Sequence, residues 1–300
     1  MYLEHFGLDR PPFDSTSNGS LYVDLASHRE AQNVILFGLR SGEGFLKVVG
    51  EVGTGKTALC RVTLARLGDA FVPAFVPDPA LRPHAFLETV ADDLGVVLPP
   101  RAPIQVVKQR LREILIDVAR SGRRVALFID EAQTLPTATF EALRLLSNLE
   151  SDAGKLVQIV LFGQPELDAR LARYALRPLE QRIAFSARLS PLDREACRVY
   201  VQRRLVASGA RDPGLFSPAA LAALHRASGG IPRLINTLAH KASMAAFAEE
   251  ALRIERRHVA RAVGDTEGLA RWRIRPLIRL RGVLASGRTT PTAHPGAPPA

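Results

Sequence analysis

The residues best suited to chemistry lie between positions 50 and 58. Gly50-Glu51-Val52-Gly53-Thr54-Gly55-Lys56-Thr57 fits the spacing G-x-x-x-x-G-K-[ST], which cradles a polyphosphate. Glycines let the backbone curl until successive N–H groups point at phosphate oxygens. A helix beginning at Lys56, with Ala58 in its first turn, adds its positive end. Lys56 is expected to bridge β- and γ-phosphates, and the Thr57 hydroxyl to bind Mg²⁺, so ATP with Mg²⁺ is the expected ligand. An acidic pair, Asp130-Glu131, ends the apolar run Val125–Ile129. A carboxylate at the C-terminal end of a buried parallel strand faces the ligand crevice. Asp130 is expected in the metal shell, and Glu131 is expected to orient and polarise an attacking water.

Other polar residues are candidates for the same site. Gln164 follows the run Leu156–Phe162 and could contact the γ-phosphate or the water. Arg177, Arg182, Arg188 and Arg194 come next in the chain. One of them, reaching another subunit's γ-phosphate, would stabilise transition-state charge, and spacing does not choose among them. Arg233 stands in the first turn of a helix opened by Pro232. A helix N-terminus disfavours a cation unless an anion lies close, so Arg233 is a candidate phosphate contact. Asp78, between Pro77 and Pro79, could relay nucleotide state to Glu131, but reads better as a turn former.

The elements that must position these residues follow from periodicity. Short apolar strands are expected at Phe45–Val49, Phe71–Val76, Val125–Ile129, Leu156–Phe162 and Ile183–Leu189. Helical patterns stand between them: Ser27–Leu39, Lys56–Leu67, Pro83–Leu94, Ile104–Val118 and Phe140–Leu149. This alternation implies an α/β fold with a parallel sheet flanked by helices on both faces. After Leu189 only helices are expected, at 193–207, 218–228, 232–248 and 256–263, forming a small all-helical domain. Ser217-Pro218 has helix-start chemistry and Gly229-Gly230 helix-stop chemistry. The expected division is an N-terminal segment at 1–43, a nucleotide-binding part at 44–189, a helical lid at 190–265 and a tail at 266–300. Turns are expected at Pro11-Pro12 and at Ser17-Asn18-Gly19-Ser20.

Composition sets the outer bounds. Three hundred residues, 47% of them hydrophobic and 23% charged, suffice for two ordinary domains, and 6% aromatics favour helices on a sheet over an all-β sandwich. Cys60 and Cys197 lie in apolar helical patterns and read as buried thiols in a reducing compartment. No leader peptide is visible at the start, and no run reaches about 18 apolar residues, so the expectation is a soluble, cytoplasmic protein. The net charge is +10, and residues 266–300 hold six Arg against one Glu. Within that tail, 271–281 interleave five Arg with Trp272, Ile274, Leu277, Ile278 and Leu280. Such a segment suits an anionic membrane surface or nucleic-acid phosphates. Residues 285–300, rich in Pro, Ala, Gly, Thr and Ser, have a disordered composition.

Together these residues resemble one branch of the AAA+ superfamily, the secretion and pilus ATPases called ExeA or general secretion pathway protein A and MSHA biogenesis protein MshM. The resemblance is carried by Met1-Tyr-Leu-Glu-His-Phe-Gly-Leu8, Pro12-Phe13, His28-Arg-Glu-Ala31, Gly44-Phe45, Gly50–Thr57 and Ile129-Asp-Glu-Ala-Gln133. It continues through Gly163-Gln-Pro-Glu-Leu167, Gln181-Arg-Ile183 and Gly230-Ile-Pro-Arg233. It implies sheet order 5-1-4-3-2 under a helical lid, and a homo-oligomer, either a ring such as a hexamer or another assembly, with sites between subunits. It implies that Gln164 is sensor 1, Arg233 sensor 2 and Arg182 the finger in trans, with Arg177 second. Glu180 stands where the family usually carries another Arg. ATP turnover would then serve assembly of a type IV pilus or type II secretion apparatus, with a partner at the inner membrane. Since the sequence stops before the membrane span and periplasmic part of general secretion pathway protein A, the MshM-like form is the nearer expectation. The alternatives are a DNA-binding AAA+ ATPase of the transposition or replication-helper type, and a nucleotide-gated scaffold with little turnover.

Overall fold

A computed structural model describes residues 2–14, 21–151 and 154–266. The expected turn at 17–20 and the basic segment 271–281 lie outside them, as does all of 267–300. The described elements run α1 (Tyr2–His5), α2 (Ala26–Arg40), β1 (Phe45–Gly50), α3 (Lys56–Leu64), β2 (Phe71–Val76), α4 (Pro83–Asp93), α5 (Ile104–Arg120) and β3 (Arg124–Ile129). Next come α6 (Thr137–Leu146), β4 (Glu150–Ser151), β5 (Gly154–Lys155), β6 (Val157–Gly163), α7 (Glu166–Leu171), α8 (Arg177–Glu180) and β7 (Ile183–Leu189). The chain continues through α9 (Arg194–Ala207), α10 (Pro218–Ser228), α11 (Pro232–Ala248) and α12 (Arg256–Gly264).

The main sheet is parallel throughout and ordered β2-β3-β6-β1-β7. Counting its strands alone, that is the implied 5-1-4-3-2. Period-two alternation divides its side chains between two cores. Val125, Leu127 and Ile129 of β3 join Val157, Ile159 and Leu161 of β6 under the α4–α7 side. Ala126 and Phe128 join Val160 and Phe162 on the side of α2 and α3, where the Phe128 and Phe162 rings stack at 6.0 Å. The central strands are buried on both faces, as continuous apolar runs require. Burying each large side chain of this kind contributes about 1.5–3 kcal/mol. On α5 the buried residues Val107, Leu111, Leu115 and Val118 form one stripe at helical spacing.

Two helices end earlier than periodicity indicates. The α3 helix stops at Leu64, because Gly68 at φ +72° turns the chain toward β2. The α6 helix stops at Leu146, and Leu149 instead leads into the two-residue antiparallel pair β4–β5. The helical expectations after Leu189 hold: α9 is capped by Asp193, whose carboxylate accepts from Ala196 N–H at 2.7 Å, and α10 by the Ser217 hydroxyl. Gly229, at φ +59°, is the left-handed C-cap of α10. Residues 2–266 form one compact unit, in which the N-terminal segment packs on the helical part. Asp9 N–H donates to Ser208 O at 2.9 Å, and His5 Nε2 lies 3.0 Å from Ala251 O.

Candidate functional site

Three strand tips converge because the strands are parallel and in register. Val49 pairs with Gly163, and Ile129 with Leu161, so the residues that follow β1, β3 and β6 meet at one edge. After β1 the chain curls with Gly53 at φ +82° and Gly55 at φ +97° before α3 starts. A side chain at Gly55 would meet His28 Nε2 at 2.8 Å, and one at Gly53 would meet Arg233 Cβ at 2.8 Å. Only glycine combines these dihedrals with these close approaches. Lys56 is buried, and its Nζ donates to Gly50 O at 2.8 Å and Glu51 O at 3.0 Å. Burial holds its ammonium below the usual lysine range, against the opposing pull of Glu131, Asp130 and Glu51.

Alternation along β3 also explains the acidic pair. Asp130 falls on the face of Ala126 and Phe128, toward α3, and there Thr57 Oγ1 donates to its Oδ2 at 2.5 Å. Burial raises the Asp130 carboxyl above the usual range. The bonds from Thr57 and from the Glu131 N–H, 2.9 Å from Oδ1, work the other way. Glu131 takes the left-handed conformation, φ 48° and ψ 35°, at the head of a 3₁₀ turn over Ala132–Thr134. Its carboxylate accepts from Gln164 Nε2 at 3.0 Å and from Gln133 Nε2 at 2.5 Å. A cavity of about 390 Å³ opens over this edge. Its walls include Gly53–Ala58, Glu131 and Arg233, together with Tyr22, His28, Tyr200 and Arg204. The basic groups of Lys56, Arg204 and Arg233 and the Glu131 carboxylate, which line the same cavity, can hold a polyphosphate and act on water beside it. Thr57 and Asp130 put two hard oxygens side by side, a donor set that fits Mg²⁺.

Comparison with known proteins bears on the same residues. The model of an AAA domain matches residues 39–171, which include Gly50–Ala58, Asp130, Glu131 and Gln164. General secretion pathway protein A of Aeromonas hydrophila is 37% identical over 287 residues, 95% of this chain. The chain belongs to the AAA+ family, on the branch of general secretion pathway protein A. It spans about half, 52%, of that relative's length. Its fold is shared with the Aeropyrum pernix ORC2 protein, in ADPNP–ADP complexes, at 19% identity and TM-score 0.66 over 87% of this chain and 72% of that one. It is shared too with Cdc6p from Pyrobaculum aerophilum, at 17% identity and TM-score 0.64 over 81% and 67%. Nucleotide binding goes with this AAA+ fold.

Within the AAA+ frame the remaining sequence candidates separate. Arg233, at the start of α11, lines the cavity, and its N–H donates to Gly53 O at 3.2 Å. Gln164 meets Glu131 instead of the cavity wall. Arg182 lies away from the cavity and donates to Asn148 Oδ1 and to Ser147 Oγ at 3.4 Å. Arg177 lies 5.8 Å over the Tyr174 ring, and Arg188 pairs with Asp168 at 2.7 Å. Asp78 accepts from Ala80 N–H at 3.3 Å, a turn bond. Sequence reasoning missed three participants. His28 places Nε2 3.0 Å from Thr54 O beneath the phosphate loop. Gln133 bridges Glu131 to the Gln164 N–H. Arg204, buried on α9, donates to the carbonyls of Pro12, Leu21 and Asp14. Among the described residues no helix is long and apolar enough to cross a membrane.

Proposed function

We propose that this AAA+ protein binds ATP with Mg²⁺ between residues 44–189 and a lid at 190–265, and hydrolyses it. The observation that carries the reading is the meeting of Thr57, Asp130 and Glu131 beside Lys56 at one cavity edge. Lys56 and the loop N–H groups would hold the β- and γ-phosphates. Thr57 and Asp130 would hold the Mg²⁺, which when bound neutralises phosphate charge. Glu131 would take a proton from water as the water oxygen bonds to the γ-phosphorus, and the bond to the β-phosphate oxygen breaks. Gln164 would sense the γ-phosphate and Arg233 would contact the phosphates from the lid. Arg182, with Arg177 second, would act across a subunit boundary in a homo-oligomeric ring.

The identity with general secretion pathway protein A supports a role in building a secretion or type IV pilus apparatus on the cytoplasmic side of the inner membrane. The basic segment 271–281 would add contact with anionic lipid. The test is steady-state turnover of the full chain, alone, with anionic vesicles and with duplex DNA. Glu131→Gln should lose at least about 100-fold in turnover and retain ATP. Turnover by Glu131→Gln at the native rate would refute hydrolysis by this pair. Stimulation by DNA, suppressed steeply by salt, would replace the secretion role with a nucleic-acid one.

A further inference from the structure

The carboxylate of Glu131 is held by a side chain that the mechanism above leaves unused. The left-handed conformation of Glu131 is one that a non-glycine residue keeps only where its surroundings over-determine it. The surroundings here do so in two layers. Thr134 closes the turn, donating its N–H and its hydroxyl to the Glu131 carbonyl at 2.8 and 2.9 Å. Arg170 of α7 then clamps the turn from outside, with Nη1 donating to Gln133 O and Nη2 to Leu135 O at 2.5 Å. The Arg170 guanidinium also lies 5.5 Å over the Phe140 ring.

With the turn so fixed, the Gln133 side chain folds back over it. Its Nε2 donates to Glu131 Oε2 at 2.5 Å, while its Oε1 accepts the Gln164 N–H at 3.0 Å. Gln164 Nε2 donates to the same Glu131 Oε2 at 3.0 Å. One carboxylate oxygen therefore carries two amide donors. Among the described residues the other oxygen, Oε1, takes no hydrogen bond, and Glu131 lines the cavity.

We propose that Gln133 is a positioning residue for the water-activating carboxylate. It ties Oε2 down, leaves Oε1 to meet the water, and links that orientation to the tip of β6, so that a shift at Gln164 is passed to the base. The inference rests on the reading of Glu131 as that base. Holding a reacting group in its productive orientation acts on the chemical step and not on ground-state binding.

The experiment compares Gln133→Ala, Gln133→Glu and Glu131→Gln in the full chain, by steady-state ATP turnover and by binding of a fluorescent ATP analogue. Gln133→Ala should lower kcat about tenfold or more while KM and analogue affinity stay within about twofold. Gln133→Glu keeps the size and the acceptor toward Gln164 N–H, but sets a carboxylate against that of Glu131. Its kcat should fall below that of Gln133→Ala. A side chain needed only for packing predicts the opposite order, because the near-isostere would then be the milder change. That opposite order, or native kcat in both Gln133 variants beside an inactive Glu131→Gln, overturns the proposal. An active Glu131→Gln overturns the assignment of the base instead. Gln133→Met, which keeps volume without an amide, takes the place of the alanine variant if melting shows that one unfolded.

Discussion

Burial works against the charges that the site needs, and single residues show how they are kept. The Lys56 ammonium and the Asp130 carboxyl are both driven toward neutrality by desolvation, and each is opposed by the partner groups around it. On the proposed reading, removing the ammonium would leave the loop N–H groups alone to hold the phosphates. Lys56→Ala should weaken ATP binding by at least about 100-fold in a fluorescence titration, with the melting temperature little changed. His28 makes a pH argument. Burial lowers its pKa below the ordinary 6.5, with its bond to Thr54 O opposing. Below that ordinary value the unfolded chain takes up a proton that folded His28 resists. This stability is therefore fully present above pH 6.5 and is lost as pH falls through that value toward the folded pKa. Melting curves between about pH 7.5 and 5.5 should fall more steeply for the native chain than for His28→Gln, which cannot titrate. Identical slopes would remove His28 from the account.

At the scale of elements, one junction ties the turn between α10 and α11 to the segment that leaves β7. Gly230 has φ +76°, and a Cβ there would stand 2.0 Å from Leu192 O, with Gly230 O accepting from Leu192 N–H at 2.8 Å. Gly230→Ala must move backbone and adopt a strained φ together, so a loss of about 2 kcal/mol or more is expected in urea unfolding. What could be read in the sequence follows the same physics. The five sheet strands and the four C-terminal helices were legible because long apolar runs and 3.6-residue stripes mark them. Gly50–Thr57 and Asp130-Glu131 were legible because their spacing is local. The short α7 and α8 helices and the β4–β5 pair were not, since two to six residues are too few to show a period. Gln133 carried no signal of its use, which depends on the left-handed turn at Glu131 and on Arg170 arriving from a later helix. Arg204 was one arginine among thirty-five, and only long-range packing distinguishes it.

At the scale of the molecule, Arg204 joins parts that are nearly two hundred positions apart in the chain. Its three carbonyl partners sit at 2.6, 3.1 and 2.7 Å, and the neighbouring Arg203 reaches Asp24 O at 2.9 Å. Arg204→Ala would leave buried carbonyls unpaired, at about 1–3 kcal/mol for each that water cannot reach. Limited proteolysis should then cut the first 25 residues sooner, and ATP should protect the variant less than the native chain. Equal cutting rates would refute the tie. Residues that open the chain therefore serve as a cover on α9, and cutting them away would strip Arg204 of these three acceptors.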